Sequence, residues 1–83
     1  MADEVRLLAF AGARDVVGAG ELSIALARPE SARAFLDRLV ERFPGLSRHR
    51  GSLRLAVNGT YALWDEEVRP GDEVALIPPV AGG

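Results

Sequence analysis

One amphipathic helix set among strand patterns most constrains what this chain can fold into. Large apolar residues recur at intervals of three and four along residues 32–43, so they share one face of a helix. These residues are Ala32, Phe35, Leu36, Leu39, Val40 and Phe43. Pro29-Glu30-Ser31 favours a helix start in this place, and Pro44-Gly45 favours its end. A single helix of this kind can cover one face of one sheet, which predicts a two-layer α+β fold.

Two strand patterns precede the helix. Residues 5–10 are apolar apart from Arg6, which predicts a central strand buried on both faces. Residues 21–27 alternate large apolar residues with small or polar ones, as a half-buried strand does. Residues 11–20 between them contain three glycines and the pair Arg14-Asp15, which together predict a loop. The two strands and this loop can form a hairpin.

The chain after the helix returns to strand patterns. Residues 46–51 are predicted to form a loop in which His49, the sole histidine, is exposed. Residues 52–57 alternate as a strand does and run directly into Asn58-Gly59, the strongest short signal for a hairpin turn. Residues 60–64 then form the return strand or a short extended segment.

The last strand defines the topology. Residues 65–67 are acidic and predicted to be exposed, and residues 68–72 contain a Pro-Gly pair that predicts a turn. Residues 73–77 form the last strand, and residues 74–77 are apolar on both faces, like residues 5–10. These two strands are therefore predicted to lie side by side in the middle of a mixed sheet of four to five strands. This is the β-grasp arrangement, the fold of ubiquitin.

Composition excludes several kinds of site and partner. The 83 residues suggest one domain, residues 1–83, and the net charge of −2 argues against nucleic acid as a partner. The chain has no cysteine and no lysine, which excludes disulfides, a thiol nucleophile, a zinc-thiolate site and a phosphate-binding lysine loop. No metal site is expected. No apolar run has the length that a membrane span needs, so no membrane partner is expected. The absence of cysteine fits a cytoplasmic protein, which is the expected location.

The C-terminal segment has graded properties. Pro78 and Pro79 fix φ and favour a stiff, extended path, and the side chains then shrink through Val80 and Ala81 to Gly82-Gly83. Residues 78–83 are predicted to form a flexible, protruding tail that can enter a narrow channel. The hypothesis is that the Gly83 carboxylate at its tip is the reactive group. A purification scar or a simple disordered end would explain the two glycines as well.

Four stretches of the chain together resemble one family. They are residues 10–18, with the pattern Phe-Ala-x-x-Arg-Asp-x-x-Gly; Phe43-Pro44; residues 56–59, Ala-Val-Asn-Gly; and residues 71–83, which run from Gly-Asp-Glu-Val through Pro-Pro-Val to Gly-Gly. In these stretches the chain resembles the MoaD family of ubiquitin-like sulfur carriers, the small subunits of molybdopterin synthase, within the MoaD/ThiS superfamily.

The resemblance implies a mechanism in which this chain donates sulfur but holds no catalytic residues beyond its own terminus. Gly83, with Gly82 as its slim neighbour, would be adenylated by a MoeB-like activating enzyme that uses ATP. A sulfur donor would then convert it to a thiocarboxylate. The tail would enter a MoaE-like large subunit and deliver sulfur to cyclic pyranopterin monophosphate in molybdenum cofactor biosynthesis. The chain itself would bind no cofactor.

The resemblance also implies a docking patch on the sheet face away from the helix, formed by Phe10, Tyr61 and Ile77. Phe10 and Ile77 have the opposite strand parity to Leu7 and Leu76, which predicts their exposure. The tail residues expected to contact the partner are Pro78, Pro79, Val80 and Ala81. The alternative for each patch residue is ordinary core or a lone exposed apolar side chain.

Three other functions remain open at this point. The chain could carry sulfur for another pathway, such as thiamine synthesis, tungsten cofactor synthesis or tRNA thiolation. It could be a ubiquitin-like protein modifier that forms isopeptide bonds on other proteins. It could also be an interaction module with an inert tail.

Overall fold

The computed structural model describes residues 3–77 of the chain. Seven strands and two α-helices occur in this part: β1 Glu4–Ala9, α1 Ala11–Val17, β2 Glu21–Ala25, β3 Glu30–Ser31, α2 Ala32–Arg42, β4 Arg54–Val57, β5 Thr60–Tyr61, β6 Glu67–Val68 and β7 Glu73–Ile77. A 3-10 helix, Pro44–His49, follows α2. The predicted tail, residues 78–83, lies outside the described residues.

A mixed five-stranded sheet forms one layer, with the strand order β2-β1-β7-β4-β5. The neighbours β1 and β7 are parallel, and the other pairs in this sheet are antiparallel. The first and last strands therefore lie side by side near the centre, which confirms the prediction from sequence. The chain must cross over between parallel strands, and α2 lies in the stretch of chain that makes this crossing.

The core lies between this sheet and α2. The large fully buried side chains of the helix are Phe35, Leu36 and Leu39, and the sheet contributes Val5, Leu7, Leu55, Val74 and Leu76. Removing each such side chain from water stabilises the fold by about 1.5–3 kcal/mol before the entropy of ordering is subtracted. The apolar stripe predicted for the helix is therefore its core-facing side, although Val40 and Phe43 are only partly buried.

One prediction about β1 was wrong, because the strand is buried on one face only. Val5 and Leu7 are fully buried, whereas Glu4 and Arg6 are exposed and Leu8 is half-buried. The physical reason is the number of layers. A single helix covers one face of the sheet, so alternate residues of the central strands face away from the core even when they are apolar.

The predicted loop at residues 11–17 is instead the helix α1. Ala13 and Val17 are buried and stand four residues apart, so one face of a two-turn helix packs on the core. Gly18 then adopts a φ of 86°, and its N–H donates to the Arg14 carbonyl at 2.9 Å. That left-handed cap ends the helix and explains the glycine that sequence analysis assigned to a loop.

The start of α2 also differs from the prediction. The helix begins at Ala32, and the Ser31 hydroxyl caps it by accepting a hydrogen bond from the Ala34 N–H at 3.1 Å. Residues 30–31 form a short strand that pairs with residues 67–68. Val68, which was predicted to lie in the segment of the Pro-Gly turn, is a fully buried strand residue. This pairing depends on a contact between distant parts of the chain, which no local pattern reports.

The predicted loop after α2 is also more ordered than expected. Phe43 ends α2, and Pro44 begins the 3-10 helix. Leu46 inside this helix is 1% exposed, so the segment closes one end of the core.

The predicted hairpin turn at Asn58-Gly59 is confirmed. Both residues have positive φ, 50° and 87°, as a two-residue type I′ turn requires. The Asn58 side chain also reaches β7. Its Nδ2 donates to Asp72 Oδ1 at 3.1 Å, and its Oδ1 accepts from the Glu73 N–H at 3.0 Å. The turn is therefore tied to the start of the central strand.

Replacing Asn58 with Ala is expected to destabilise the domain by about 2–3 kcal/mol, through loss of the side-chain hydrogen bonds and through strain at positive φ. Asn58→Gly removes the same hydrogen bonds but tolerates the φ, so its cost should be about 1 kcal/mol smaller. Urea unfolding of the two variants measures both terms. Equal stability of wild type and both variants would show that this side chain does not hold the hairpin to β7.

Candidate functional site

The sheet face that α2 leaves uncovered is the candidate functional surface. Side chains alternate between the two faces along each strand, and the register therefore fixes which residues share the open face. They are Glu4, Arg6 and Leu8 of β1, Glu21, Ser23 and Ala25 of β2, Glu73, Ala75 and Ile77 of β7, Arg54 and Ala56 of β4, and Tyr61 of β5.

An apolar row crosses this face. Leu8 lies opposite Ala75, Ala75 opposite Ala56, and Ala56 opposite Tyr61. Because the two alanine side chains are short, the row protrudes least in its middle. Tyr61 stands at the edge strand with 67% of its surface exposed. The row offers apolar area on which another protein can lie flat.

A second row lies on the side of the face where β7 ends. Ile77, the last residue of β7, lies opposite Arg54 and is partly exposed. Phe10 directly follows β1, whose end is level with the end of β7, and it is 51% exposed. The two side chains therefore stand near each other at the point where the chain leaves the sheet toward residue 78.

Leu63 extends the second row beyond the predicted patch. The Ala62 N–H donates to the Leu55 carbonyl at 2.9 Å, so the pairing of β4 with the return segment continues past β5. That register sets Leu63 level with Arg54 on the open face, and Leu63 is 69% exposed. We call the open-face residues Leu8, Phe10, Ala56, Tyr61, Leu63, Ala75 and Ile77 the outer apolar patch.

A charged row borders the outer apolar patch on the side away from Ile77. Arg6 Nε lies 3.3 Å from Glu21 Oε2, and Arg6 Nη2 lies 2.9 Å from Glu73 Oε2. These side chains remain largely exposed, so the ion pairs add little stability. They mark the boundary of the apolar surface.

The structure places the predicted docking residues as follows. Phe10 and Tyr61 are exposed and Ile77 is partly exposed, so the exposure predicted from strand parity is found for Phe10 and in part for Ile77. Their role in docking stays a prediction. Pro78, Pro79, Val80 and Ala81, and the proposed reactive residues Gly82 and Gly83, lie outside the described residues.

The described part of the chain offers little chemistry of its own. Among residues 3–77, no three metal-ligating side chains come together in one group. His49 is exposed in the 3-10 helix, as the sequence predicted. None of the helices in this part is long and apolar enough to cross a bilayer. What the fold does provide is an apolar face beside the start of the C-terminal segment.

Comparison with known sequences gives matches over almost the whole chain. The profile described as the ThiS family matches residues 7–83. A molybdopterin synthase sulfur carrier subunit of Arabidopsis thaliana is 36% identical over 80 residues, which are 96% of this chain and 83% of the relative. The protein of the same description from Escherichia coli is 36% identical over 81 residues, 95% of this chain and 99% of the relative.

Solved structures agree with the sequence matches. A putative molybdopterin converting factor subunit 1 from Pyrococcus furiosus superposes with a TM-score of 0.81 at 29% identity, covering 93% of this chain and 98% of that one. Small archaeal modifier protein 1 of Haloferax volcanii superposes with a TM-score of 0.79 at 28% identity, with the same coverage. The predicted ubiquitin-like β-grasp fold is thereby confirmed. This chain belongs to the ThiS/MoaD family.

Proposed function

We propose that this chain is the sulfur-carrier subunit of a molybdopterin synthase and that the Gly83 carboxylate carries the sulfur. One observation carries the proposal. Proteins described as molybdopterin synthase sulfur carrier subunits match the chain at 36% identity over nearly its full length, and the family match extends to Gly83. The outer apolar patch beside the start of the tail supports it, because a carrier needs a surface that docks and an end that reacts.

The chemistry explains why a bare terminus needs partners. A carboxylate is a poor acyl donor because its leaving group would be oxide. ATP converts the Gly83 carboxylate to a mixed anhydride with AMP and releases pyrophosphate. A sulfur nucleophile at the oxidation level of sulfide then attacks the acyl carbon, AMP departs, and a thiocarboxylate remains. We assign the adenylation to a MoeB-like activating enzyme, because this chain contains no lysine with which to build a phosphate-binding loop.

In this proposal the docked surface and the length of the tail together determine where Gly83 can react. The outer apolar patch lies against a MoaE-like large subunit, and burial of Phe10, Tyr61 and Ile77 there supplies binding energy. The six residues after Ile77 span at most about 20 Å when extended. The reacting centre of the large subunit must then lie within about that distance of the docked patch. Gly82 and Ala81 permit close packing of partner groups around the acyl carbon.

The remaining assignments follow from this role. The sulfur acceptor in the large subunit is cyclic pyranopterin monophosphate, and the product belongs to molybdenum cofactor biosynthesis. The chain holds no cofactor, and ATP and the sulfur donor are substrates of the activating enzyme. Because adenylation consumes ATP, we place the chain in the cytoplasm, where ATP is available.

Intact mass spectrometry tests the carrier role. The purified chain is incubated with its activating enzyme, ATP and a sulfur donor. We expect a mass gain equal to the difference between a sulfur and an oxygen atom, located at Gly83 by fragmentation. An unchanged mass, under conditions in which the same enzyme preparation thiolates the Escherichia coli sulfur carrier subunit, would refute the proposal. Addition of the large subunit and cyclic pyranopterin monophosphate to the product then distinguishes molybdopterin synthesis from another thiolation pathway.

A second candidate function is protein modification. Its support is the superposition on small archaeal modifier protein 1, with a TM-score of 0.79 at 28% identity. The same Gly83 adenylate could pass to a lysine amine of another protein, with loss of AMP and formation of an isopeptide bond. Covalent adducts of a tagged chain that resist reducing agents and disappear when Gly83 is deleted would support this function.

A further inference from the structure

Arg54 is an exposed cation in the second row of the open sheet face. It lies opposite Ile77 on β7 and level with Leu63, so it borders two members of the outer apolar patch. Arg6, the other arginine of the open face, forms ion pairs with Glu21 and Glu73. Among residues 3–77, no carboxylate forms such a pair with Arg54.

The guanidinium of Arg54 is held in place by the backbone just before β4. Its Nη1 donates to the Leu53 carbonyl at 2.9 Å and, more weakly, to the Gly51 carbonyl at 3.4 Å. Its central carbon lies 6.0 Å from the centre of the Trp64 ring, within reach of a cation–π attraction. Within the described part of the chain, Nε and Nη2 make no hydrogen bond. The N–H groups of Nε and Nη2 are therefore already oriented and remain available to an acceptor.

We propose that Arg54 is a specificity determinant of docking that recognises a carboxylate on the large subunit of the synthase. This inference rests on the proposed function and deepens it. A partner that covers Ile77 and Leu63 also removes Arg54 from water, and that desolvation is unfavourable unless an acceptor meets the guanidinium. A carboxylate can accept two hydrogen bonds from the donor fork, which gives both affinity and orientation. A partner with an apolar group in that place is disfavoured.

The acceptor belongs to the partner protein and not to the small substrate. The reaction takes place at Gly83, six residues beyond Ile77, which is a distance of up to about 20 Å along an extended tail. Arg54 stands opposite Ile77, at the base of that tail. A phosphate group on a substrate held at the tip is therefore out of its reach. The chain's own terminal carboxylate is the other possible acceptor for Arg54. Pro78-Pro79 favours a stiff, extended path and so disfavours the sharp turn that would bring that carboxylate back to Arg54.

Calorimetric titration with the molybdopterin synthase large subunit of the same organism tests the inference. The chains compared are wild type, Arg54→Gln, Arg54→Glu and the control Arg48→Glu. Arg48 is an exposed arginine of the 3-10 helix, on the helix side of the molecule, so its replacement makes the same charge change away from the open face. We expect Arg54→Gln to weaken binding about 10-fold and Arg54→Glu to weaken it more, since each leaves a desolvated carboxylate unpaired on the partner. Arg48→Glu should change affinity by less than about 3-fold.

The salt dependence of binding is a second measurement, and a purely structural role of Arg54 would not change it. Raising ionic strength should weaken wild-type binding more steeply than binding of Arg54→Gln, because the variant lacks the screened charge. Thermal unfolding of both Arg54 variants should match wild type, since the side chain is exposed.

Three results would overturn the inference, and they are distinguishable. Equal affinities of Arg54→Glu and Arg48→Glu, with wild type binding well, would remove Arg54 from recognition and leave the proposed function standing. Loss of the Arg54→Gln effect in a chain that ends at Ile77 would show that Arg54 acts on the chain's own tail. No binding of wild type to the large subunit would reject the proposed function together with this inference.

Discussion

Deletion of Gly83 is expected to abolish sulfur transfer while leaving thermal unfolding of the domain nearly unchanged. The deletion moves the terminal carboxylate back by one residue, about 3.3 Å along an extended chain. A displacement of about 1 Å at a reacting centre can already cost about 100-fold in rate. The buried side chains of the described part all lie between Val5 and Leu76, so the core does not depend on the last residue.

Two measurements check this result, the rate of sulfur transfer to cyclic pyranopterin monophosphate in the presence of the large subunit and the melting temperature by calorimetry. A chain that lacks Met1 and Ala2 is the control, because it is shortened at the other terminus and should keep both properties. A fall in melting temperature of more than about 4 °C on deletion of Gly83 would mean a loss of about 1 kcal/mol. That result would contradict a tail that stands apart from the core.

Patterns within one segment predicted the central architecture well. The alternation along residues 52–57 and the Asn58-Gly59 pair gave a hairpin that the structure contains. The apolar stripe of α2 and the apolar character of the first and last strands gave the two layers and the central parallel pair. In each case the information lies within about ten consecutive residues, where periodicity is readable.

The missed elements depend on contacts between distant segments. In α1 only Ala13 and Val17 are buried, and three glycines nearby favour a loop when the segment is considered alone. Val68 is a single apolar residue after three acidic ones, and it becomes a strand residue because β3 lies beside it. A short element with one or two buried residues has too little periodicity to be recognised from sequence.

The residues of the candidate site also divide into those that a local pattern predicted and those whose place depends on distant contacts. Strand parity relative to Leu7 and Leu76 was enough to predict that Phe10 and Ile77 are exposed. Leu63 and Arg54 were missed. The place of Leu63 depends on the register between β4 and the segment after β5, and the place of Arg54 beside Ile77 depends on the register between β4 and β7. Leu63 follows Tyr61 by two residues in the predicted return strand, and this spacing was the signal that could have placed Leu63 on the same face as Tyr61. The tail was predicted from sequence alone and lies outside the described residues, so it stays a prediction.

Substitutions at two adjacent residues of β7, Leu76 and Ile77, are expected to have different effects, the first on stability and the second on binding to the large subunit. Leu76 is fully buried and lies between Ala9 of β1 and Leu55 of β4. Replacing it with Ala removes buried methyl groups and leaves a cavity, which is expected to destabilise the domain by about 2–5 kcal/mol. The melting temperature of a domain of this size should then fall by roughly 10 °C or more. Urea unfolding measures the loss, which is a large fraction of the about 5–15 kcal/mol typical of whole proteins.

Ile77→Ala is the matched variant, since it removes similar volume one residue further along the same strand and on the opposite face. Ile77 is only partly exposed to solvent and does not face the core, so we expect a loss of about 1 kcal/mol or less in stability. Its contact with the large subunit would be lost, and binding should weaken about 10-fold or more, as for an apolar anchor at the centre of an interface. The contrast fails if Ile77→Ala destabilises the domain as much as Leu76→Ala does, because Ile77 would then be a core residue. It fails equally if Ile77→Ala binds the large subunit with wild-type affinity, because the partner would then dock on a different surface.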